Sequence, residues 1–422
     1  MINISDTKVG IISGLATQKG KDMSKLEKLI QQYCPDGVEW KHLEEFCEIK
    51  TGKGITKKDS DENGTYPIIS GGVTPMGYYH IFNREGKTVT ISRVGANAGL
   101  VSFIDKRFYL NDKCFSIIPS NGTNAKFLYY ILSAREADIK GMQSEGGVPT
   151  INTQKVGSIE IPVPPLPVQE EIVRILDTFT ELQAELQAEL QKRKQQYNYY
   201  LDNLLSFNDI NRGGQAEVRW MKMSDIGTFY SGLSGKTKED FQNGNAKFIS
   251  YMNIFNNPSL ITDVDDRVKI LEGEKQNTIQ YGDLLFTGSS ETPDECGMCS
   301  VLTHHTEEKL YLNSFCFGFR FNDLSGINPE FMKFLFRSSV IRKLICKTAN
   351  GVTRFNISKK EFAKIVIPIP SLAEQDHIAS VLDKFYFLVG DLTAGLPAEI
   401  EKRRQQYEYY RDKLLTFKRK GA

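Results

Sequence analysis

The sequence predicts an α+β fold in which two similar mixed α/β domains stand in tandem, each followed by a long helix. Three observations carry this reading. Residues 192–207, KRKQQYNYYLDNLLSF, return as 402–417, KRRQQYEYYRDKLLTF, with eleven identical positions. Upstream, 159–179 (IEIPVPPLPVQEEIVRILDTF) return as 365–385 (IVIPIPSLAEQDHIASVLDKF). The segments before each pair are rich in glycine and in short apolar or alternating runs, the pattern of strands and turns.

Each repeat reads as a short strand, a proline stop and a helix start. Pro167 suits the first turn of a helix, and Ser371 with Glu374 has the form of a capping box. Tyr197, Tyr200 and Leu204, like Tyr407, Tyr410 and Leu414, are spaced by three and four residues and continue to Phe207 and Phe417, so they share one helix face. The expected helices cover about 167–207 and 371–418, roughly 60 to 70 Å if straight. The first carries the four-residue units ELQA ELQA ELQ at 181–191, with Leu182, Leu186 and Leu190 on one stripe. The matching region of the second is about four residues longer and contains Gly390, Gly395 and Pro397, which predict a kink or a broken turn.

The repeats set the expected boundaries: an extension at 1–22, a first domain at 23–161, its helix at 162–207, a polar linker at 208–217, a second domain at 218–367 and its helix at 368–422. Within the domains, TYPIIS, KTVTISRV and FYLNDKCFSIIP read as strands and 125–137 as a helix. Landmarks recur: Tyr109-Leu110-Asn111 against Tyr311-Leu312-Asn313, Asn124 and Phe127 against Asn328 and Phe331, and Asn152 against Asn356. Residues 51–82 and 231–263 diverge most, so one scaffold is expected to carry two sets of loops.

With 422 residues and 40% hydrophobic content, the chain can bury ordinary cores. It has neither an eighteen-residue apolar run nor the pattern of a secretory signal, so no membrane association is expected. Seven cysteines, an odd number, fit a reducing compartment, and the chain reads as cytoplasmic. A net charge of +1 argues against a stand-alone, non-specific nucleic-acid binder, although it permits one that reads base edges while partners supply phosphate contacts.

The paired PxP-x-Leu-x-x-Gln-x-x-Ile-x-x-x-Leu-Asp-x-Phe openings at Pro162 and Pro368, the ELQA units, and the paired KR-x-QQY-x-YY-x-D-x-LL-x-F tails resemble the specificity subunit of type I restriction-modification systems, in the subclass with tetrad repeats in the central helix. The resemblance covers nearly all of 23–417. It implies two target recognition domains separated by two long antiparallel coiled-coil helices with pseudo-two-fold symmetry. Each domain would read one half of an asymmetric bipartite site in double-stranded DNA. The helices would set the spacer and dock two methyltransferase subunits, through which restriction and translocase subunits would join. Catalysis would belong to those partners, and no cofactor is expected.

For DNA reading, the divergent loops offer Lys53, Lys57, Lys58, Ser70, Arg93, Asn97, Thr150 and Asn152 in the first domain. The second offers Lys236, Lys238, Tyr251, Asn253, Ser289, Ser290, Arg354 and Asn356. These types bond base edges or phosphates, yet a solvated or turn-forming role is the commoner fate of any one. Asn152 and Asn356 fit a shared turn or a phosphate contact better than base reading. The Tyr and Leu faces of the two tails fit packing of the helices on each other, with methyltransferase docking as the alternative.

Two rival readings remain. One is a metal-dependent nuclease, resting on Asp294, Glu307 and Lys309, which occur in one half only. The other is a coiled-coil scaffold without sequence readout. Cys296 and Cys299 with His304 and His305 have zinc-ligand residue types but poor spacing, because adjacent histidines hardly reach one ion beside both thiolates. Gly235-Lys236-Thr237 is an incomplete phosphate loop, and Asn328-Pro329-Glu330-Phe331 reads as the turn opening a helix.

Overall fold

Alternating and apolar runs become two copies of one sheet. In a computed structural model that describes residues 25–120, 122–144, 147–207, 218–390 and 395–421, the strands Cys47–Thr51, Cys114–Pro119, Thr88–Ser92 and Val101–Ile104 pair antiparallel in that order. Gly227–Ser231, Cys316–Phe321, Leu284–Thr287 and Cys299–Val301 repeat it. All five residues of Thr88–Ser92 and all four of Leu284–Thr287 are buried, as suits the central strands of each sheet. A second small sheet in each copy contains a parallel pair, Ile68 beside Tyr109 and Phe248 beside Tyr311. A two-stranded ribbon leads into each long helix, with Trp40 opposite Pro162 and Trp220 opposite Pro368. The prolines stand on ribbon edges, where a missing N–H breaks no ladder.

The hydrogen-bond registers coincide. Gly52 N–H donates to Cys114 O and Lys53 N–H to Leu110 O; Gly232 donates to Cys316 O and Leu233 to Leu312 O. Gly52 and Gly232 are obligatory, since a Cβ would lie 2.2 and 2.1 Å from the carbonyl oxygens of Asn111 and Asn313. The same bookkeeping corrects one landmark. Ile151 N–H donates to Arg93 O and Ile357 N–H to Gly288 O, which aligns Thr150 with Asn356 and Asn152 with Ser358. Asn152 and Ser358 each cap a short helix, at Thr153–Gly157 and Lys359–Phe362, whereas Asn356 lies in the strand Phe355–Ile357. Residue identity misled there because two residues separate equal spacing from equal register.

The first helix runs unbroken over Leu166–Leu204. The second is two helices, Leu372–Gly390 and Leu396–Leu414, the interruption lying where Gly390, Gly395 and Pro397 predict it. The helix expected over 125–137 also divides, into Ala125–Ala134 and Glu136–Gly141, at Arg135. The extension expected at 1–22 and the linker at 208–217 fall outside the described residues.

The chain forms two compact units, one from Met1–Leu186 with Ile400–Ala422 and one from Gln187–Glu399. The division falls inside the tetrad units, so each mixed α/β domain is completed by the helix tail of the other repeat. In the first unit Leu414 enters the core with Ile172, Ile175 and Leu176, and Tyr410 stacks on Phe179 at 5.6 Å. Lys418 O and Lys420 N–H then bond Val38, at the start of the first repeat. In the second, Leu201 and Leu205 join Ile378 and Leu382, and Tyr200 stacks on Phe385 at 4.9 Å. Burying each such leucine contributes about 1.5–3 kcal/mol.

The repeated glutamine of the helix openings has a specific task. Gln169 is fully buried, accepts from Asn124 N–H at 2.8 Å and donates to Pro164 O at 2.6 Å and Gly122 O at 3.2 Å. Gln375 does the same with Asn328 N–H at 2.8 Å, Pro370 O at 2.8 Å and Gly326 O at 2.9 Å. Asn124 and Asn328 then cap Ala125–Ala134 and Pro329–Leu335, so one amide locks the helix start, the strand exit and the domain helix together. Gln375→Leu strands one buried N–H and two carbonyls and is expected to destabilise the second unit by about 1–3 kcal/mol, read as a lowered urea midpoint with Gln375→Glu as a size-matched comparison.

Candidate nucleic-acid interface

Four first-domain candidates gather near one bridge, Val94 opposite Thr150. Asn97 Nδ2 donates to Gly71 O at 3.1 Å, next to Ser70, and Thr150 Oγ1 lies 2.7 Å from Ser144 Oγ. Arg93 turns inward, over the Phe115 ring at 5.5 Å, and donates to Asp112 O at 3.2 Å. Lys53, Lys57 and Lys58 are exposed nearby in sequence, and Asn152 spends its side chain on Lys155 N–H at 2.9 Å.

The second domain gathers five candidates around a three-stranded sheet of Ser289–Ser290, Phe355–Ile357 and Ala349–Asn350. Ser289 pairs with Asn356 and Ser290 with Phe355. Tyr251 Oη donates to Ser289 O at 2.8 Å; Arg354 donates to Ser289 Oγ from Nε at 3.2 Å and Nη2 at 3.1 Å. Ser290 Oγ donates to Glu295 at 3.1 Å. Asn253 lies apart, closing a turn through Ile261 O at 2.8 Å and Ile261 N–H at 3.2 Å.

Lys236 takes no part in such a surface. Its side chain is only 6% exposed and pairs with Glu274 at 2.6 Å, while Nζ also donates to Lys269 O at 2.6 Å. The incomplete phosphate loop is therefore an internal ion pair. Lys238 is exposed on a capped 3₁₀ turn, Lys238–Phe241, and this turn has a twin at Lys57–Asp59. Thr237 and Asp240, like Thr56 and Asp59, close the same capping box, so Lys57 and Lys238 start equivalent turns inside the segments expected to diverge most.

The enzyme-like motifs disperse. Cys296 and Cys299 are buried and His304 Nε2 lies 2.9 Å from Thr262 Oγ1, while His305 stacks on Tyr281 at 4.3 Å. Burial pushes the Cys299 thiol up to about 12. Asp294 lies on the turn Pro293–Glu295, and Glu307 and Lys309 precede the strand Leu310–Leu312. Among the described residues, no group of three His, Cys, Asp or Glu could hold a metal ion.

On the helix tails, Tyr197 and Tyr200 pack against Tyr386 and Phe385, Tyr410 against Phe179, and Leu204, Tyr407 and Leu414 lie in or against the cores. The exposed aromatics are their neighbours Tyr199, 64% exposed, and Tyr409, 61%. Sequence reasoning missed both, although their matched positions off the apolar stripe were the available signal.

The family model for the type I restriction modification DNA specificity domain matches residues 35–193 and again 216–402. The chain belongs to the type I specificity-subunit family. The EcoR124I/EcoR124II specificity subunit of Escherichia coli is 31% identical over 94% of this chain and 98% of its own length. A specificity subunit of Haemophilus influenzae, itself named as putative, is 29% identical over 93% and 98%. The S subunit from M. genitalium superposes with a TM-score of 0.54 at 16% identity, covering 90% and 95%, a likeness of fold. This specificity subunit recognises DNA for a restriction-modification system and is non-catalytic, with catalysis carried by partner subunits. A nuclease reading of Asp294, Glu307 and Lys309 has no support. No helix among the described residues is long and apolar enough to cross a membrane.

Lys236 and Lys238 separate structural from surface roles. Backbone and Lys236 hydrogen bonds hold the Glu274 carboxyl down at about 2. A depressed carboxylate contributes stability above its unfolded value, near 4.3, and loses it as pH falls towards 2. Lys236→Met is expected to destabilise the specificity subunit at neutral pH, with the gap to wild type closing between about pH 4.3 and 2 in thermal melts. Lys238→Ala is expected to leave those melts unchanged.

Proposed function

We propose that the chain reads an asymmetric bipartite DNA site, one half through each recognition domain, while the long helices set the spacer and dock two methyltransferase subunits. The observation that carries this is one backbone register bearing different side chains at equivalent loop positions: Arg93 against Gly288, Val94 against Ser289, Thr150 against Asn356. Equal frames would approach a duplex in equal ways, and unequal side chains would then select different bases. Lys57 and Lys238, alike in both domains, suit phosphate contacts, which position without specifying.

The unbroken 39-residue helix Leu166–Leu204 supports the spacer role. It spans roughly 58 Å at 1.5 Å per residue, ample for two readers about one DNA turn, or ~34 Å, apart. Tyr199 and Tyr409, one in each unit, support docking of two like partners, since aromatic side chains are enriched at interfaces. Restriction and translocase subunits would join through the methyltransferases. All seven cysteines are free, which suits a reducing cytoplasm.

The deciding experiment co-expresses the chain with the methyltransferase subunit of its own system and maps methylated adenines across the host genome. A motif in two blocks with a fixed spacer is expected; a single continuous motif would overturn the two-reader reading. Deleting one tetrad, 185–188, should shift the spacer by one or two base pairs and leave both blocks unchanged, because four residues remove about 6 Å and slightly more than one turn. Lys57→Ala and Lys238→Ala should each lower the slope of log affinity against log salt by about 1 without altering the motif.

A further inference from the structure

We infer that Arg354, oriented by Ser289 and seated over Phe315, is the guanine reader of the second recognition domain. This rests on the two-reader proposal and names the side chain by which one of the readers selects a base.

Arg354 follows the loop at Gly351 and Val352, and both Nε and Nη2 donate to the Oγ of Ser289. Ser289 is itself fixed: it is buried, paired with Asn356, and its carbonyl accepts from Tyr251 Oη. The guanidinium also lies 5.7 Å from the centroid of the Phe315 ring. That ring is 60% exposed, yet its backbone is held at both ends: Asn313 Oδ1 accepts from Phe315 N–H at 2.8 Å, and Phe315 O accepts from Gly288 N–H at 2.8 Å. An exposed aromatic ring held on a fixed turn presents its face for stacking.

An arginine bound along its Nε–Nη2 edge still presents Nη1 and the second hydrogen of Nη2. Among the described residues these meet no hydrogen-bond partner, and they form the two-pronged donor that matches O6 and N7 of guanine in the major groove. Because Ser289 and Phe315 already fix the plane, less side-chain freedom is lost on binding. Phe315 would meet the neighbouring base through apolar contact.

The first domain lacks the device at every equivalent position. The shared register places Val148 where the second domain has Arg354, Val94 where it has Ser289, and Lys113 where it has Phe315. Val148 is 62% exposed, so the position is a surface one in both domains. Differing side chains at these three equivalent positions, on a shared backbone register, are what distinct half-sites require.

The test uses the full complex with the methyltransferase subunit. Duplexes carrying 7-deazaguanine, which lacks the N7 acceptor, at single positions of the mapped motif should bind wild type roughly ten- to hundred-fold more weakly at one guanine of one half-site. Arg354→Ala, which removes the donors, should show the same loss on unmodified DNA, gain no further loss from that 7-deazaguanine, and relax the methylation motif at that position alone. Ser289→Ala, which frees the guanidinium, should show a smaller loss at the same position. Retention of the remaining bases of the same half-site certifies folding of the second domain in each variant. An unchanged motif, or equal weakening on every sequence as for a phosphate contact, overturns the assignment of Arg354 while leaving two readers standing. A wild-type motif in one block overturns both.

Discussion

Phe179 stacked on Tyr410, and Phe385 stacked on Tyr200, mark the interaction on which the molecule depends. In each pair the first ring belongs to the opening of one repeat's helix and the second to the tail of the other repeat. Neither domain closes its core with its own repeat alone: the first takes Leu414, and the second takes Leu201 and Leu205. A duplicated chain of this kind gains cooperativity from exchange, because losing a tail opens an apolar face in the domain that borrowed it. The exchange also explains why both tails retain the same Tyr, Tyr, Leu and Phe positions, since each must fit an equivalent socket.

The polar groups buried at these sockets are as constrained as the apolar ones. Gln169 and Gln375 each satisfy three backbone groups where strand, proline and helix converge, and an unsatisfied group there would cost more than the bond contributes. Asp177 and Asp383 likewise meet Lys126 at 2.8 Å and Lys333 at 2.6 Å, although the two lysines stand at different places on their helices. The frame thus tolerates a change of donor as long as the carboxylate is answered. Such over-determined joints leave the loops free to vary, because the frame does not rely on them.

The divergent loops follow a different rule. Their shared parts are turns, such as the boxes at Thr56 with Asp59 and Thr237 with Asp240, and their differing parts project from those turns. Lys236 shows how easily a basic residue in such a segment is consumed internally, by Glu274 and a carbonyl, while Lys238 two residues on remains exposed. Arg354 shows the converse, a long polar side chain that its neighbours hold in place at the surface.

The sequence by itself determined the duplication, the two mixed α/β frames, the long helices and the interruption near Gly390 and Pro397. These features rest on local periodicity, proline and glycine geometry, and direct self-comparison, all of which are properties of neighbouring residues. Tertiary structure decided the rest. Which repeat's tail fills which core is a long-range choice that identical motifs leave open. The alignment of Asn152 with Ser358 rather than Asn356 came from hydrogen-bond register, which spacing does not encode. The facing of Tyr199 and Tyr409 to solvent, the loss of Lys236 to an ion pair, and the seating of Arg354 over Phe315 each depend on residues tens of positions away. Side chains of one type meet opposite fates according to what the fold brings beside them.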